Sequence, residues 1–247
     1  MADVLIYTAN FGGYDTVRAQ VAQDIDVDWL CLTDRPDADA PWPWRTIPVL
    51  PTHEHPNLAA KVFKAQPPWE LNEWSVAIWI DANMEIMEAA FAREAMAYVN
   101  DGLATWAHPR RDCVYDEGTV CLPGAKEGQD GRYENLPIVD QLAAYRDEGF
   151  PAHHGLFASG TIVWTPEASS TLGVAWLAEI ERWGFQDQLA LPVVAWRMGI
   201  KPGIFGVHQI ERRYSTIQRR TPRAPTRPMY LGNRWLKIHP HTLPPYR

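Results

Sequence analysis

Runs of apolar residues broken by polar ones divide the first half of the chain into short, buried-looking strands. Asp3-Val4-Leu5-Ile6-Tyr7-Thr8 predicts a first strand, broken at Asn10-Phe11-Gly12-Gly13-Tyr14, a loop whose glycines let a ligand approach the backbone. Val27 to Thr33 predicts a second strand, closed by Thr33-Asp34-Arg35-Pro36, and Arg45 to Val49 a short third one. Asn57 is placed to cap a helix that runs to Ala65 and stops at Pro67-Pro68. Val76-Ala77-Ile78-Trp79-Ile80 then reads as a fully buried strand ending abruptly in Asp81-Ala82-Asn83, with a second short run, Met84 to Met87, directly behind it.

The pattern continues with a helix over Glu88 to Val99 and a strand over Leu103 to Ala107. The polar, Gly-rich stretch from Cys113 to Arg132 reads as a long loop. Ile138 to Glu148 predicts a helix and Gly160 to Trp164 a strand. Pro166 to Trp183 predicts a helix with proline in its first turn, and Asp187 to Met198 a further helix despite Pro192. Gly203 to Val207 predicts a last strand. Strands alternating with helices imply an α/β fold with a mainly parallel central sheet.

Composition narrows the class. The 247 residues are 46% apolar and 21% charged, which fits a soluble chain of one large domain or two small ones. Met1-Ala2-Asp3 lacks the basic start of a signal peptide, and no stretch approaches the ~18 apolar residues of a membrane span. Cys31, Cys113 and Cys121 have no zinc-like spacing, and Cys31 sits in an apolar run. A reduced, cytoplasmic setting is expected. Most of the twelve tryptophans are expected in the core, with Trp42 and Trp44 of Pro41-Trp42-Pro43-Trp44 the exposed ones.

Charge is uneven. From Glu211 to Arg247 there are eight arginines and one lysine against one acid, a balance of +8 within a chain of net −7. This basic, Pro-rich extension reads either as a wrap along the domain or as a surface for phosphates of a nucleotide or nucleic acid.

The chemistry-bearing residues gather at strand ends. In an open α/β sheet, ligands bind outside the carboxyl ends of the strands. Thr8-Ala9-Asn10, Thr33-Asp34 and Asp81-Ala82-Asn83 share that edge if their three strands are neighbours. In extended geometry Asp81 and Asn83 face the same side, and two hard oxygen ligands suit Mg²⁺ or Mn²⁺ holding a diphosphate. The simpler reading is that they make a turn. Lys61 and Lys64 share one helix face and would neutralise phosphate oxygens. His108 lies at a strand end. His53-Glu54-His55 and His153-His154 lack the helical H-E-x-x-H spacing and read as loop histidines.

Seven segments in order, YTANFGGYD, CLTD, AKVFK, WIDAN, AHPRRDCVYDE, GLFASGTIVW and FQDQLALPVV, give the chain a wider likeness. Over roughly residues 3 to 200 it resembles a glycosyltransferase-like family of bacteria, phages and plants. That family is similar in turn to nucleotide-sugar transferases of the glycogenin and lipopolysaccharide galactosyltransferase group. The resemblance implies a GT-A-like three-layer α/β/α sandwich over residues 1–210, with a nucleotide half over about 1–110 and an acceptor half over about 111–210. It also implies a UDP-sugar-like donor and Mn²⁺ or Mg²⁺ on a D-x-D motif matched by Asp81 and Asn83, with Asn in place of the second Asp.

By the same resemblance, Thr8, Ala9 and Asn10 cradle the nucleoside, Asp34 lies near the base, and Lys61 and Lys64 flank the donor. Asp187 and Gln188 match a pair beside the reacting sugar carbon. His239, or the earlier His208, matches a histidine that completes the metal shell. Retention is implied; inversion would need a general base such as Asp187, Asp116 or Glu117. Two other readings stand beside the transferase: a metal-dependent hydrolase using Asp81 with some of the histidines, and a non-catalytic nucleotide- or sugar-binding protein. The acceptor stays open among a glycan, a lipid-linked sugar, a protein and a nucleic acid, including a modified nucleobase.

Overall fold

A computed structural model describes residues 2–35, 40–125 and 132–205, and the backbone of 215–217. Its centre is a seven-stranded sheet. In chain order the strands are β1 (Val4–Ala9), β2 (Asp28–Thr33), β3 (Arg45–Pro48), β4 (Val76–Ile80), β6 (Leu103–Ala107), β7 (Phe157–Trp164) and β8 (Gly203–Phe205). They lie in the order β3-β2-β1-β4-β7-β6-β8. All neighbours are parallel except β7, which runs antiparallel to both β4 and β6. Two further strands, β5 (Met84–Ile86) and β9 (Ser215–Ile217), pair antiparallel as a separate small sheet.

The helices are α1 (Pro56–Ala65), α2 (Phe91–Met96), α3 (Val114–Val120), α4 (Ile138–Asp147), α5 (Pro166–Ala168), α6 (Val174–Trp183) and α7 (Asp187–Met198). They cover the two faces of the sheet unequally. Leu5, Tyr7, Leu30, Trp79, Ile162 and Trp164 point into a large core shared with α1, α3, α4, α6 and α7. Val4, Ile6, Cys31, Ile78, Ile80 and Val163 point to the other face, where α2, Trp44 and the segment around Val17 to Val27 make a thinner layer. A central strand covered on both sides must be apolar at every position. That is why VLIYTA and VAIWI carry no alternation.

The expected α/β sandwich with a mainly parallel sheet is therefore present, and the predicted strands fall within a few residues of the observed ones. Four local expectations are corrected. The stretch from Cys113 is not all loop: Val114–Val120 is helical, and it buries Val114, Tyr115, Glu117 and Gly118. The helix of Pro56–Ala65 is entered from His55, with Pro56 in its first turn; Asn57 lies inside it and does not cap it. The helix predicted over Glu88 to Val99 is confined to Phe91–Met96. Trp44 is buried against Trp29 at 5.1 Å, whereas Trp42 is 67% exposed.

The helix predicted over Pro166 to Trp183 forms with an irregularity. Thr165 caps its start through Ala168 N–H, and Ser169–Gly173 is a π-turn between α5 and α6. A Cβ at Gly173 would lie 2.3 Å from the Ala65 carbonyl oxygen, so glycine is what lets the end of α1 pass this turn. Gln66 fastens the crossing by donating to the Ser169 carbonyl at 2.7 Å.

Among the described residues no helix is long and apolar enough to cross a membrane. The extension 211–247, apart from the backbone of β9, lies outside the described residues, as do His208 and His239. The sheet is continuous across the expected division near residue 110, because β6 precedes that point and lies between β7 and β8, which follow it.

Candidate functional site

β1, β2 and β4 are adjacent and parallel, so the ends of all three reach the same edge. β7 enters that edge in the opposite sense, bringing Phe157 to Gly160 beside the end of β4, where Asp81 N–H donates to the Gly160 carbonyl at 2.8 Å. The register of β7 against β6 slips between Thr105 and Trp106, whose partners are Ile162 and Ala158. The slip releases Ser159 and Gly160 from regular pairing, the way β-bulges re-aim side chains beside active sites.

The result is a buried charge cluster. Asp187, at the first turn of α7, receives Lys61 Nζ and Lys64 Nζ on Oδ2, each at 2.8 Å. Ser159 Oγ donates to the same oxygen at 3.0 Å. Lys64 also reaches Ser159 Oγ at 3.2 Å and Asp81 Oδ1 at 3.3 Å. Trp79 Nε1 donates to Asp81 Oδ1 at 2.9 Å. Lys61, Lys64, Ser159 and Asp187 are buried, while the Asp81 side chain is 41% exposed.

Burial alone would push the Asp187 carboxyl up, but two ammonium groups in contact outweigh it and hold the carboxyl well below the usual carboxylate range. Burial dominates at Lys61 and, against the pull of Asp187, brings its ammonium down to about 8. Lys64 is as deeply buried, yet Asp187 and Asp81 together keep it above its ordinary value. Lys64 is thus the fixed charge of the cluster and Lys61 the more easily neutralised one.

A third cation sits beside this pair. The Arg132 guanidinium lies over the Tyr133 ring at 5.1 Å, and its buried Nε has no acceptor among the described residues. Asp187 and Asp81 both act on its charge. His55 stacks on Phe185 at 4.4 Å, and Tyr133 packs against Phe185 at 5.9 Å. Burial, then the Arg132 charge, lowers His55 to about 4, so it is neutral at physiological pH.

The other sequence-predicted residues are placed as follows. Thr8 is fully buried in β1, its hydroxyl without a partner among the described residues, and Ala9 ends the strand. The Asn10 amide is occupied in closing its own loop: it donates to the Asp15 carbonyl and accepts from Asp15 N–H. Both Asp34 oxygens accept from Gly12 N–H, at 3.0 and 3.1 Å, while Arg35 holds the Gly12 carbonyl at 2.7 Å. Gly12 and Gly13 both have φ of 60°, a conformation favouring glycine. The loop is thus clamped by the end of β2.

Asp81 to Met84 is a turn closed by Met84 N–H on the Asp81 carbonyl at 2.8 Å. The extended geometry expected to align Asp81 and Asn83 is therefore replaced by the simpler turn reading, because the chain must reverse into β5 at once. Asn83 is half-buried, as is Gln188 on α7. Neither side chain has a hydrogen bond among those described.

His53 bonds Thr52 at 2.9 Å and faces Glu181 at 3.5 Å. His108 accepts from Arg111 N–H through Nδ1 and faces Glu117 at 3.7 Å. Glu117 is buried under Arg111 at 2.6 Å and Gln186 at 3.5 Å. These contacts tie the histidines and Glu117 into the fold. The cysteines, read from spacing as unconnected with metal, include one, Cys113, that lies beside Asp116 and His153.

Sequence reasoning named Lys61, Lys64, Asp81 and Asp187 but missed Ser159, Trp79 and Arg132. Ser159 lies inside an apolar strand segment, Trp79 reads as core, and Arg132 falls in a polar stretch with no periodicity. Compared with protein-family models and with curated proteins, the chain matches none.

Proposed function

We propose that the protein is a glycosyltransferase that takes a sugar from a nucleotide-diphosphate donor, bound at the carboxyl edge of β1, β2 and β4. The observation that carries this reading is the meeting of Lys61, Lys64 and Arg132 with Asp81 and Asp187 at that edge. Three cations against two carboxylates leave a positive surplus where an α/β sheet binds ligands. A diphosphate is the anion that such a surplus recognises. The resemblance in the sequence supports a UDP-sugar and a GT-A-like arrangement of the sandwich.

The residues present fit a hard divalent cation. Asp81 Oδ1 is committed to Lys64 and Trp79, but Oδ2 accepts no hydrogen bond from the described residues, and the side chain is partly exposed. One carboxylate oxygen with the Asn83 amide nearby in sequence makes an open shell, of the kind Mg²⁺ or Mn²⁺ completes with water and phosphate oxygens. Such an ion supplies charge neutralisation to the departing diphosphate.

The chain's own residues provide the rest. Arg132 and Lys61 oppose negative charge on the leaving group, and burial strengthens that effect. Lys64 and Ser159 fix the Asp187 carboxylate by gathering on Oδ2, which leaves Oδ1 for the sugar side. A carboxylate held this far down is a poor proton acceptor at neutral pH. Asp187 therefore serves as an electrostatic stabiliser of an oxocarbenium-like carbon, and Gln188 as a hydrogen-bonding neighbour. That chemistry favours retention over a base-assisted inversion.

The test is calorimetric titration of UDP with and without Mn²⁺. Wild-type protein binds UDP more tightly with Mn²⁺, and Asp81→Ala, shown folded by its circular dichroism spectrum, loses the metal-dependent part. Equal Mn²⁺-dependent affinity in Asp81→Ala, or no nucleotide binding by the wild type, would overturn the reading.

A further inference from the structure

A separate constellation lies where the turn before α3 meets the loop leading to β7. Cys113 stands at the N-cap position of α3, with its side chain making no cap hydrogen bond. Asp116 lies in the first turn of the same helix. His153 arrives from the 151–156 loop, which is pinned here by Gly155 N–H donating to the Asp112 carbonyl at 2.9 Å. One ligand atom from each of Cys113, Asp116 and His153 falls within 4.8 Å of the others.

Two further observations show that the constellation is built rather than scattered. His153 has φ of 56°, a left-handed conformation uncommon for a residue with a side chain. Its imidazole, exposed like its partner, has Nδ1 bonded to Asp112 Oδ1 at 2.8 Å. That bond directs the Nδ1 proton to the carboxylate and leaves the Nε2 lone pair for a metal. A carboxylate behind the ligating imidazole is the usual support of a metal-bound histidine.

We propose that Cys113, Asp116 and His153 form a surface metal site that takes Zn²⁺, with Asp112 as the residue that orients His153. The donor set decides the metal. A thiolate, an imidazole and a carboxylate suit Zn²⁺ or Co²⁺, whereas Mg²⁺ and Mn²⁺ prefer oxygen. Three protein ligands leave a fourth tetrahedral position for water or an incoming group. Cys113 is buried while Asp116 and His153 are exposed, so the ion settles between two surface groups onto a sulfur floor. On binding, the thiol proton passes to solvent and Zn²⁺ takes its place. Three negative charges, counting Asp112, outweigh both the ion and the partial positive charge of the helix start. The site needs nothing from Asp81 and stands whether or not a nucleotide-sugar is the substrate.

Co²⁺ is the probe, because a cobalt–thiolate bond gives a charge-transfer band in the near ultraviolet and tetrahedral Co²⁺ gives strong visible bands. Titration of the full chain should develop both at one equivalent, and Zn²⁺ should displace them. His153→Asn, on the surface and compatible with positive φ, should weaken Zn²⁺ binding at least tenfold. Cys113→Ser should abolish the charge-transfer band, with its circular dichroism melt checking that this buried substitution still folds. Asp112→Asn should weaken binding by about 10- to 100-fold while the band stays in place. Asp81→Asn should leave all of this unchanged. Absence of the band in the wild type would overturn the proposal. So would unchanged Zn²⁺ affinity in His153→Asn, or alkylation of Cys113 by iodoacetamide at a rate that Zn²⁺ does not slow.

Discussion

Asp187 shows how much one side chain depends on its partners. Its Oδ2 accepts from Lys61, Lys64 and Ser159. Asp187→Asn keeps the shape but leaves two ammonium groups buried together. Breaking a buried pair by removing one partner costs about 3–5 kcal/mol, and the urea midpoint of Asp187→Asn should fall accordingly. The pH dependence has a defined sign. The folded carboxyl lies below its ordinary value of 3.8, so its contribution is complete above that value and is lost as pH falls beneath it.

Lys61 adds a second rise, at the alkaline end: its folded value, about 8, is below the ordinary 10.5. Between those two values the unfolded chain holds the extra proton, so stability rises with pH. Lys61→Met should remove that alkaline rise in a denaturation series across the window, and a rise of the same size in the variant would refute the assignment. At this scale the sequence offered the identities of Lys61, Lys64, Asp81 and Asp187. Their mutual contact was not legible, because β4, β6 and β7 separate α1 from α7 in sequence.

At the scale of elements, buried strands were the easiest to read. β1, β4 and β6 are apolar runs bounded by polar residues, and both faces of the sheet demand that. α3 was not legible: in VYDEGTV, Gly118 is a weak helix former, and the buried Glu117 looks like a surface residue until Arg111 is seen beside it. The π-turn at Ser169–Gly173 was hidden for a similar reason, since it answers to the close passage of α1 and not to local propensity. Gly173→Ala places a methyl group against the Ala65 carbonyl. Overpacking of this kind costs about 1–3 kcal/mol, so its thermal unfolding should come several degrees earlier than that of the wild type. A melt unchanged within error would show that the crossing has slack.

For the molecule as a whole, the imbalance between the two faces matters most. α2 is six residues long and is the helix through which Phe91, Ala92 and Ala95 reach the thinner core. Phe91 is 1% exposed and belongs to the same buried cluster as Ile6, Ile78 and Ile80 of the central strands. Phe91→Ala should cost about 3–5 kcal/mol, read from guanidinium denaturation. A loss below about 1 kcal/mol would mean that the layer closes over the gap.

The small β5–β9 sheet has a temporal side. Met84, the first residue of β5, closes the turn that carries Asp81, and its strand partner is Ile217. During synthesis from the N-terminus, every strand of the large sheet is made before that partner. A released chain ending at Phe205 would carry every strand of the large sheet, while the segment bearing the acid still lacked its strand partner. Ligand capture should therefore be among the last properties the growing polypeptide acquires.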